Sequence, residues 1–184
     1  MAAPPDASSL VPYDPEWPEL FRTLAATLRA ELGDLALRID HIGSTAVPGL
    51  AAKPIVDVQI SVASLEPVGA YRGALERAGF YLREDNTERT KRYFREAAGG
   101  RRTHIHVRRA GSFNEQLALL FRDYVRSDPA WADLYADEKR RHAPLLLTDR
   151  DAYGEAKEPF VWETIRRANR WAKEIGWEPG PSDG

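Results

Sequence analysis

Asp57 stands inside an otherwise apolar run, Pro54 to Val62, with Val56 and Val58 on either side. A carboxylate in such a strand is costly unless a metal, a cation or a hydrogen-bond donor meets it. An arginine on a neighbouring strand would serve as well as a metal. Gln59 lies two residues further on the same face and offers a neutral oxygen without a charge. His104 and His106 share one face of another segment with Arg108. Neutral imidazoles at i, i+2 can ligate a transition metal or act as bases, and they can equally be satisfied, half-buried histidines. Gly43-Ser44-Thr45 follows a strand-like stretch, where a small pair lets backbone N–H groups and a hydroxyl approach a phosphate. Gly-Ser turns are also common without any ligand.

Several basic groups could face an anion. Between Arg83 and Arg109 lie Lys91-Arg92, Arg95, Arg101-Arg102 and Arg108-Arg109. Alternation sends Lys91, Tyr93 and Arg95 to one side, as an anion-facing wall or a solvated surface. Lys53, and Lys139 and Lys157 on C-terminal helices, are candidates for phosphate contacts if those helices fold over the sheet; otherwise they are ordinary exposed lysines. His41 and His142 carry no local signal. There is no Walker motif, no Rossmann fingerprint and no nucleophile elbow. The absence of cysteine removes thiolate nucleophiles and disulfides and fits a reducing compartment.

The elements that must position these groups follow from periodicity. Asp14-Pro15 predicts a helix start, with Leu20, Phe21, Leu24 and Leu28 on its stripe and Gly33 as its stop. Ala36 to Ile42 and Pro54 to Val62 read as strands. Val56, Val58 and Ile60 face one side of the second strand, and Ile55, Asp57 and Gln59 the other. A helix from Glu66-Pro67 to Gly79 follows. Phe80 to Leu82, Lys91 to Glu96 and Thr103 to Arg109 read as three more strands, the last two joined as a hairpin by residues 97–100. Ser112 and Glu115 predict a capping box before a helix with a stripe of Phe113, Leu117, Leu120, Phe121 and Tyr124. Asp128-Pro129 opens another helix. A last helical stretch, about Asp151 to Ile175, contains Pro159 and is expected to kink or split there.

Helices at both ends with strands clustered between them predict an α+β fold: a mixed sheet of about five strands, flanking helices and a helical C-terminal part. The 184 residues fit a single domain over 10–177, with a disordered arm over 1–9 and a flexible tail over 178–184. A formal net charge of −2 disfavours duplex nucleic acid as a partner. No apolar run approaches the roughly 20 residues that span a bilayer. The start has no signal-peptide pattern, so the cytoplasm is the expected compartment. Neither the oligomeric state nor the acceptor of any reaction follows from the residues.

The run His41-Ile42-Gly43-Ser44-Thr45-Ala46-Val47-Pro48-Gly49-Leu50-Ala51-Ala52-Lys53-Pro54-Ile55-Val56-Asp57 resembles the signature of the GrpB-like family, a branch of the nucleotidyltransferase superfamily. The His-Ile-His-Val strand, Phe121 to Tyr124, Tyr135 to Lys139 and Tyr153 to Lys157 add to the resemblance, which spans about residues 11–175. It implies a nucleotidyltransferase-like fold, with Gly43, Ser44 and Thr45 on phosphates and Asp57 on Mg²⁺ or Mn²⁺. The superfamily pattern places a second carboxylate where this chain has Gln59, and a third where it offers His104 or His106. The metal set it implies is therefore Asp57, Gln59, His104 and His106, with Asp57 and His106 as catalytic residues. The implied substrates are a nucleoside triphosphate, ATP foremost, and an acceptor of unknown kind. Two alternatives stay open: a non-catalytic nucleotide- or anion-binding module, and a transition-metal-dependent hydrolase.

Overall fold

The computed structural model describes residues 9–184. Residues 1–8 of the expected N-terminal arm lie outside the described residues. In chain order the elements are α1 (Trp17–Leu32), β1 (Arg38–Ile42), β2 (Val56–Val62), α2 (Gly69–Arg77), β3 (Phe80–Leu82), β4 (Lys91–Glu96), β5 (Thr103–Arg109), α3 (Phe113–Ser127), α4 (Pro129–His142) and α5 (Arg150–Ile175). The five strands form one mixed sheet in the order β1-β2-β5-β4-β3. Only the β2–β5 pair is parallel; the others are antiparallel. This is the α+β architecture the pattern predicts.

One sheet face is apolar and carries the main core. Val56, Val58, Ile60 and Val62 of β2 and Ile105 and Val107 of β5 pack there with Phe21, Leu28 and Leu32 of α1 and Tyr71 and Leu75 of α2. A fully buried side chain of this size contributes about 1.5–3 kcal/mol relative to exposure. The opposite face is polar, carrying Asp57, Gln59 and Ser61 on β2 beside His104, His106 and Arg108 on β5. A second apolar cluster joins Val47 and Leu50, from the connection between β1 and β2, to Tyr124, Val125, Trp131, Tyr135, Ala136 and Ala168 of the C-terminal helices. Among the described residues, no helix is long and apolar enough to cross a membrane.

Local expectations are revised in several places. The first helix begins at Trp17; Asp14 instead accepts a hydrogen bond from the Glu16 amide at 2.9 Å and shapes the turn before it. Ser112 makes no capping bond, and Glu115 turns inward. There Glu115 accepts from Ser61 Oγ at 2.7 Å and from the Gly111 amide at 3.0 Å, because a carboxylate only 1% exposed needs donors. That anchor sets the rotation of α3, so Glu115, Leu119 and Arg122 point inward while Phe113 is exposed. Pro159 does not split α5, which runs unbroken through it. Phe160 stacks on Trp131 and Tyr135, at 4.9 Å and 5.4 Å between ring centres, and holds that stretch against α4.

Residues 180–184, expected to be part of a flexible tail, instead lie along the outer edge of β1. The Gly184 amide donates to Ile39 O at 3.0 Å, and Ser182 Oγ meets both Ile39 N and Ile39 O at 2.9 Å. An edge strand leaves such groups unpaired, and this segment satisfies them.

Asp128 caps α4 as expected, accepting from the Trp131 amide at 3.0 Å. Replacing it with alanine removes that acceptor and is expected to cost about 1 kcal/mol. For a chain of this size the melting temperature should fall by about 2–4 °C. Thermal unfolding followed by circular dichroism checks this, and an unchanged midpoint would show that water replaces the cap.

Candidate functional site

Parallel pairing of β2 with β5 sets Asp57 opposite His104 and Gln59 opposite His106. Asp57 therefore lies between two imidazoles. Its Oδ1 is 3.0 Å from His104 Nδ1 and 3.4 Å from His106 Nε2. One ligand atom from each of the three residues lies within 4.8 Å of the others, and all three side chains are partly buried. Burial pushes the Asp57 carboxyl up, but hydrogen bonds and charge from both histidines outweigh it and hold it well below the usual carboxylate range. His106 is pushed down from its ordinary value, chiefly by burial, which favours the neutral ring a metal requires. The far nitrogens, His104 Nε2 and His106 Nδ1, are buried without a hydrogen-bond partner. The Tyr93 ring packs against both histidines, at 5.3 Å from His106 and 5.5 Å from His104.

Gln59 is not part of this triangle. It is fully buried; its Oε1 accepts from Arg108 at 2.6 Å and its Nε2 donates to Glu115 O at 3.2 Å. The expected metal-ligand role is corrected on that ground: both ends of the carboxamide are already committed. Glu115 and Arg108 have drawn it away from Asp57.

The turn at Gly43 closes over the carboxylate. Gly43 has φ +72°, and a Cβ placed there would sit 2.6 Å from Asp57 Oδ2. Only glycine fits, both for its backbone angle and for that approach. Ser44 lines the neighbouring cavity together with Tyr135. Thr45 also borders the cavity, but its hydroxyl is spent inward, donating to Ile55 O at 3.2 Å and meeting His41 Nε2 at 3.0 Å. The phosphate contact expected of Thr45, alongside Gly43 and Ser44, would not run through this hydroxyl. His41, for which the sequence gives no signal, stacks on Phe21 at 4.8 Å, and burial lowers it to about 4.

The cavity beside Asp57 measures about 280 Å³, and Lys53, Lys139 and Lys157 all line it. Lys157 sits 4.1 Å above the Tyr153 ring, with Lys53 at 5.6 Å from the same ring, and Lys139 is 4.7 Å from the Tyr135 ring. The Lys139 ammonium donates to Ala51 O. Among the described residues neither Lys139 nor Lys157 forms a salt bridge. Burial and then Lys157 lower Lys139 to about 7; burial and then Lys53 lower Lys157 to about 8. Cations crowded in this way favour an anionic ligand. The structure thus brings together Gly43, Ser44, Lys53, Asp57, His104, Lys139 and Lys157 around the cavity, with His106 completing the triangle behind it.

Sequence reasoning named Tyr135, Tyr153 and Tyr93 but gave them no part in the site. A signal for two of them exists: Tyr135 to Lys139 and Tyr153 to Lys157 repeat one Tyr-x-x-x-Lys spacing. On a helix that spacing stacks the two side chains on one face. Alternation sets Tyr93 on one face with Lys91 and Arg95, but its contact with the histidines follows from strand pairing with His106.

A mixed five-stranded sheet, an acid–imidazole triangle and a lysine-lined cavity beside it define this α+β protein. The family model described as GrpB protein matches residues 8–167, and the chain belongs to that family. The crystal structure of the conserved protein GrpB from Enterococcus faecalis superimposes with a TM-score of 0.79 at 32% identity, over 88% of this chain and 99% of that one. A UPF0157 protein of Halalkalibacterium halodurans is 36% identical over 162 residues, covering 88% of this chain and 82% of its own. A protein of Mycobacterium leprae named dephospho-CoA kinase is 35% identical over 198 residues, covering 92% of this chain and 48% of its own. The chain thus spans about half the length of such mycobacterial relatives.

Gly43→Ala forces a methyl group against the Asp57 carboxylate and strains the turn. Urea unfolding should show a loss of about 1–3 kcal/mol. A variant as stable as wild type would show that the turn does not press on Asp57.

Proposed function

We propose that the chain is a divalent-metal-dependent, transferase-type enzyme that uses a nucleoside triphosphate, ATP foremost, on an acceptor not yet identified. The observation that carries this is the convergence of Asp57, His104 and His106 beside a cavity lined by three lysines. One carboxylate and two imidazoles suit a first-row ion such as Mn²⁺ better than Mg²⁺, which prefers oxygen ligands and octahedral geometry. When bound, such an ion would offset phosphate charge and polarise the transferred group.

The chain's own residues supply the rest. Lys53, Lys139 and Lys157 would receive the phosphate chain, while the Gly43-Ser44 turn offers backbone amides and a hydroxyl at its edge. Asp57 stays ionised across the working pH range, which makes it an anchor and not a proton shuttle. His106 faces Asp57 through Nε2 and keeps Nδ1 without a partner, so its neutral ring would either hold the ion or take a proton as a base. Membership of the GrpB family supports this reading at the level of the site. The dephospho-CoA kinase name plays no part in it, because the shared segment is about half of those relatives.

A second reading is favoured by one observation: Gln59, at the position of the second acid, is sealed into the interior. A site with a single carboxylate could bind a nucleotide or another anion without turning it over.

Calorimetric titration of ATP with Mn²⁺ separates these. Wild type is expected to bind both, and Asp57→Ala should weaken Mn²⁺ by about tenfold or more, as removal of a metal-holding group does. Equal binding by the two proteins, or none by either, sinks the enzyme reading. Binding that survives EDTA, with no turnover of labelled ATP, supports the second.

The lysines give a pH signature. Each is a cation below its own value, about 7 for Lys139 and about 8 for Lys157 in the empty pocket. Affinity for tripolyphosphate without metal should therefore be greatest below pH 7 and fall as the pH rises through both values. Lys139→Met should remove the lower part of that dependence; a profile identical to wild type would place the anion elsewhere.

A further inference from the structure

Residues 180–184 do more than cover an edge. Arg38 donates to Gly180 O at 2.8 Å, and Arg29 donates to Gly184 O at 3.2 Å. Asp183 Oδ2 accepts from the His41 amide at 2.9 Å and from Arg122 at 2.6 Å. The same Arg122 donates to His41 O at 3.1 Å, and its side chain is only 3% exposed. His41 is thus gripped at both its N–H and its C=O. Beyond the backbone, its ring bonds Thr45, and Gly43-Ser44 lies between the two. A Cβ on Gly184 would come within 2.5 Å of Ala25, so the segment seats closely against α1 as well as β1.

We propose that residues 180–184 are a latch: the Asp183 carboxylate, seated on Arg122 and the His41 amide, positions the end of β1 that carries the Gly43-Ser44 turn. The docking site reads an extended acidic segment. Main-chain groups of Ile39 and His41 supply the strand-like contacts, and Arg122 supplies the charge. Most of the contacts are to backbone or to Ser182; within the segment Asp183 brings the carboxylate to Arg122, which also pairs with Asp123 at 2.7 Å and lies 3.9 Å from Asp40, so the latch turns on that one side chain. Releasing it leaves β1 paired with β2 and its core side chain Ile39 in place. The effect should be confined to the strand end and the turn. As far as it concerns ligand binding, the latch rests on the reading of the lysine cavity as an anion site; as a conformational device it does not.

Hydrogen exchange of the full chain without ligand tests it, comparing wild type with Asp183→Ala and the milder Asp183→Asn. A charge-assisted bond of this kind is worth enough to speed local opening by about tenfold or more on removal. The expected result is faster exchange at His41 and at Ala46 and Val47, whose amides bond Gly43 O and Ser44 O across the turn, larger for alanine than for asparagine, with Val58 and Ile105 unchanged. Acceleration limited to residues 180–184 overturns the latch. So does uniform acceleration across the sheet, which would mark Asp183 as a general stabilising group. Tripolyphosphate affinity, measured on the same three proteins, should fall in step with faster exchange at Ala46 and Val47. If wild type binds no tripolyphosphate, the anion site fails while the exchange data still decide the latch.

Discussion

The parallel pairing of β2 with β5 is the constraint on which the rest of the site depends. Residues on a strand alternate between faces, so the register that buries Val58 against Ile105 also places Asp57 opposite His104. A slip by one residue would send Val58 and Ile60 to the polar face and the acid into the core. The burial that stabilises the sheet therefore also fixes the distances of the acid–imidazole triangle. Parallel neighbours need a long crossover, and here it is supplied by α2, β3 and β4, ending in the hairpin that delivers β5. Core packing and site geometry are one specification.

Charge on the polar face is partitioned around that register. Asp57 is ionised and answered by two imidazoles, while Glu115, a few residues along the face, is answered by Ser61 and a backbone amide. Gln59 lies between these two acids and is neutral. A second carboxylate there would face Glu115 across a dry interior, where like charges repel strongly. The carboxamide instead links Arg108 to the Glu115 carbonyl and spans the gap without adding charge. The single acid at the triangle follows from this arrangement as much as from any demand of a metal.

Much of this was legible in the sequence where local rules act alone. The alternation of β2 separated Val56, Val58 and Ile60 from Asp57 and Gln59, and the 97–100 turn announced the β4–β5 hairpin. That Asp57, His104 and His106 would each need a partner was legible from residue type, since an acid in an apolar strand and a His-x-His strand both ask for one. Illegible was whatever tertiary competition decides. Glu115 matched a capping-box pattern, yet its side chain found better donors at Ser61 and Gly111. Gln59 shared a face with Asp57 but was claimed by Arg108. Pro159 removes one helical hydrogen bond, which stacking of Phe160 on Trp131 and Tyr135 outweighs. Residues 178–184 are polar and rich in Pro and Gly, and composition alone could not foresee the unpaired edge of β1 that receives Ser182 to Gly184.

The helical C-terminal part owes its place in the site to a joint made of apolar groups. Val47 and Leu50, a few residues beyond the Gly43-Ser44 turn, are buried against Tyr135 and Ala136 of α4 and against α3 and α5. The stretch leading from the turn is thus packed on the same helix that presents Tyr135 and Lys139 to the cavity. The sheet supplies the acid–imidazole triangle, and α4 and α5 supply Lys139 and Lys157. The sheet and the helical layer also meet through Glu115 with Ser61 and Arg122 with His41, and at the cavity it is lysines that face the Asp57 carboxylate. Lys157 helps hold Lys139 below its ordinary value, and Lys53 does the same to Lys157. On the proposed reading a polyanion bound there would relieve that repulsion, so its affinity and the docking of the helical layer would draw on the same charges.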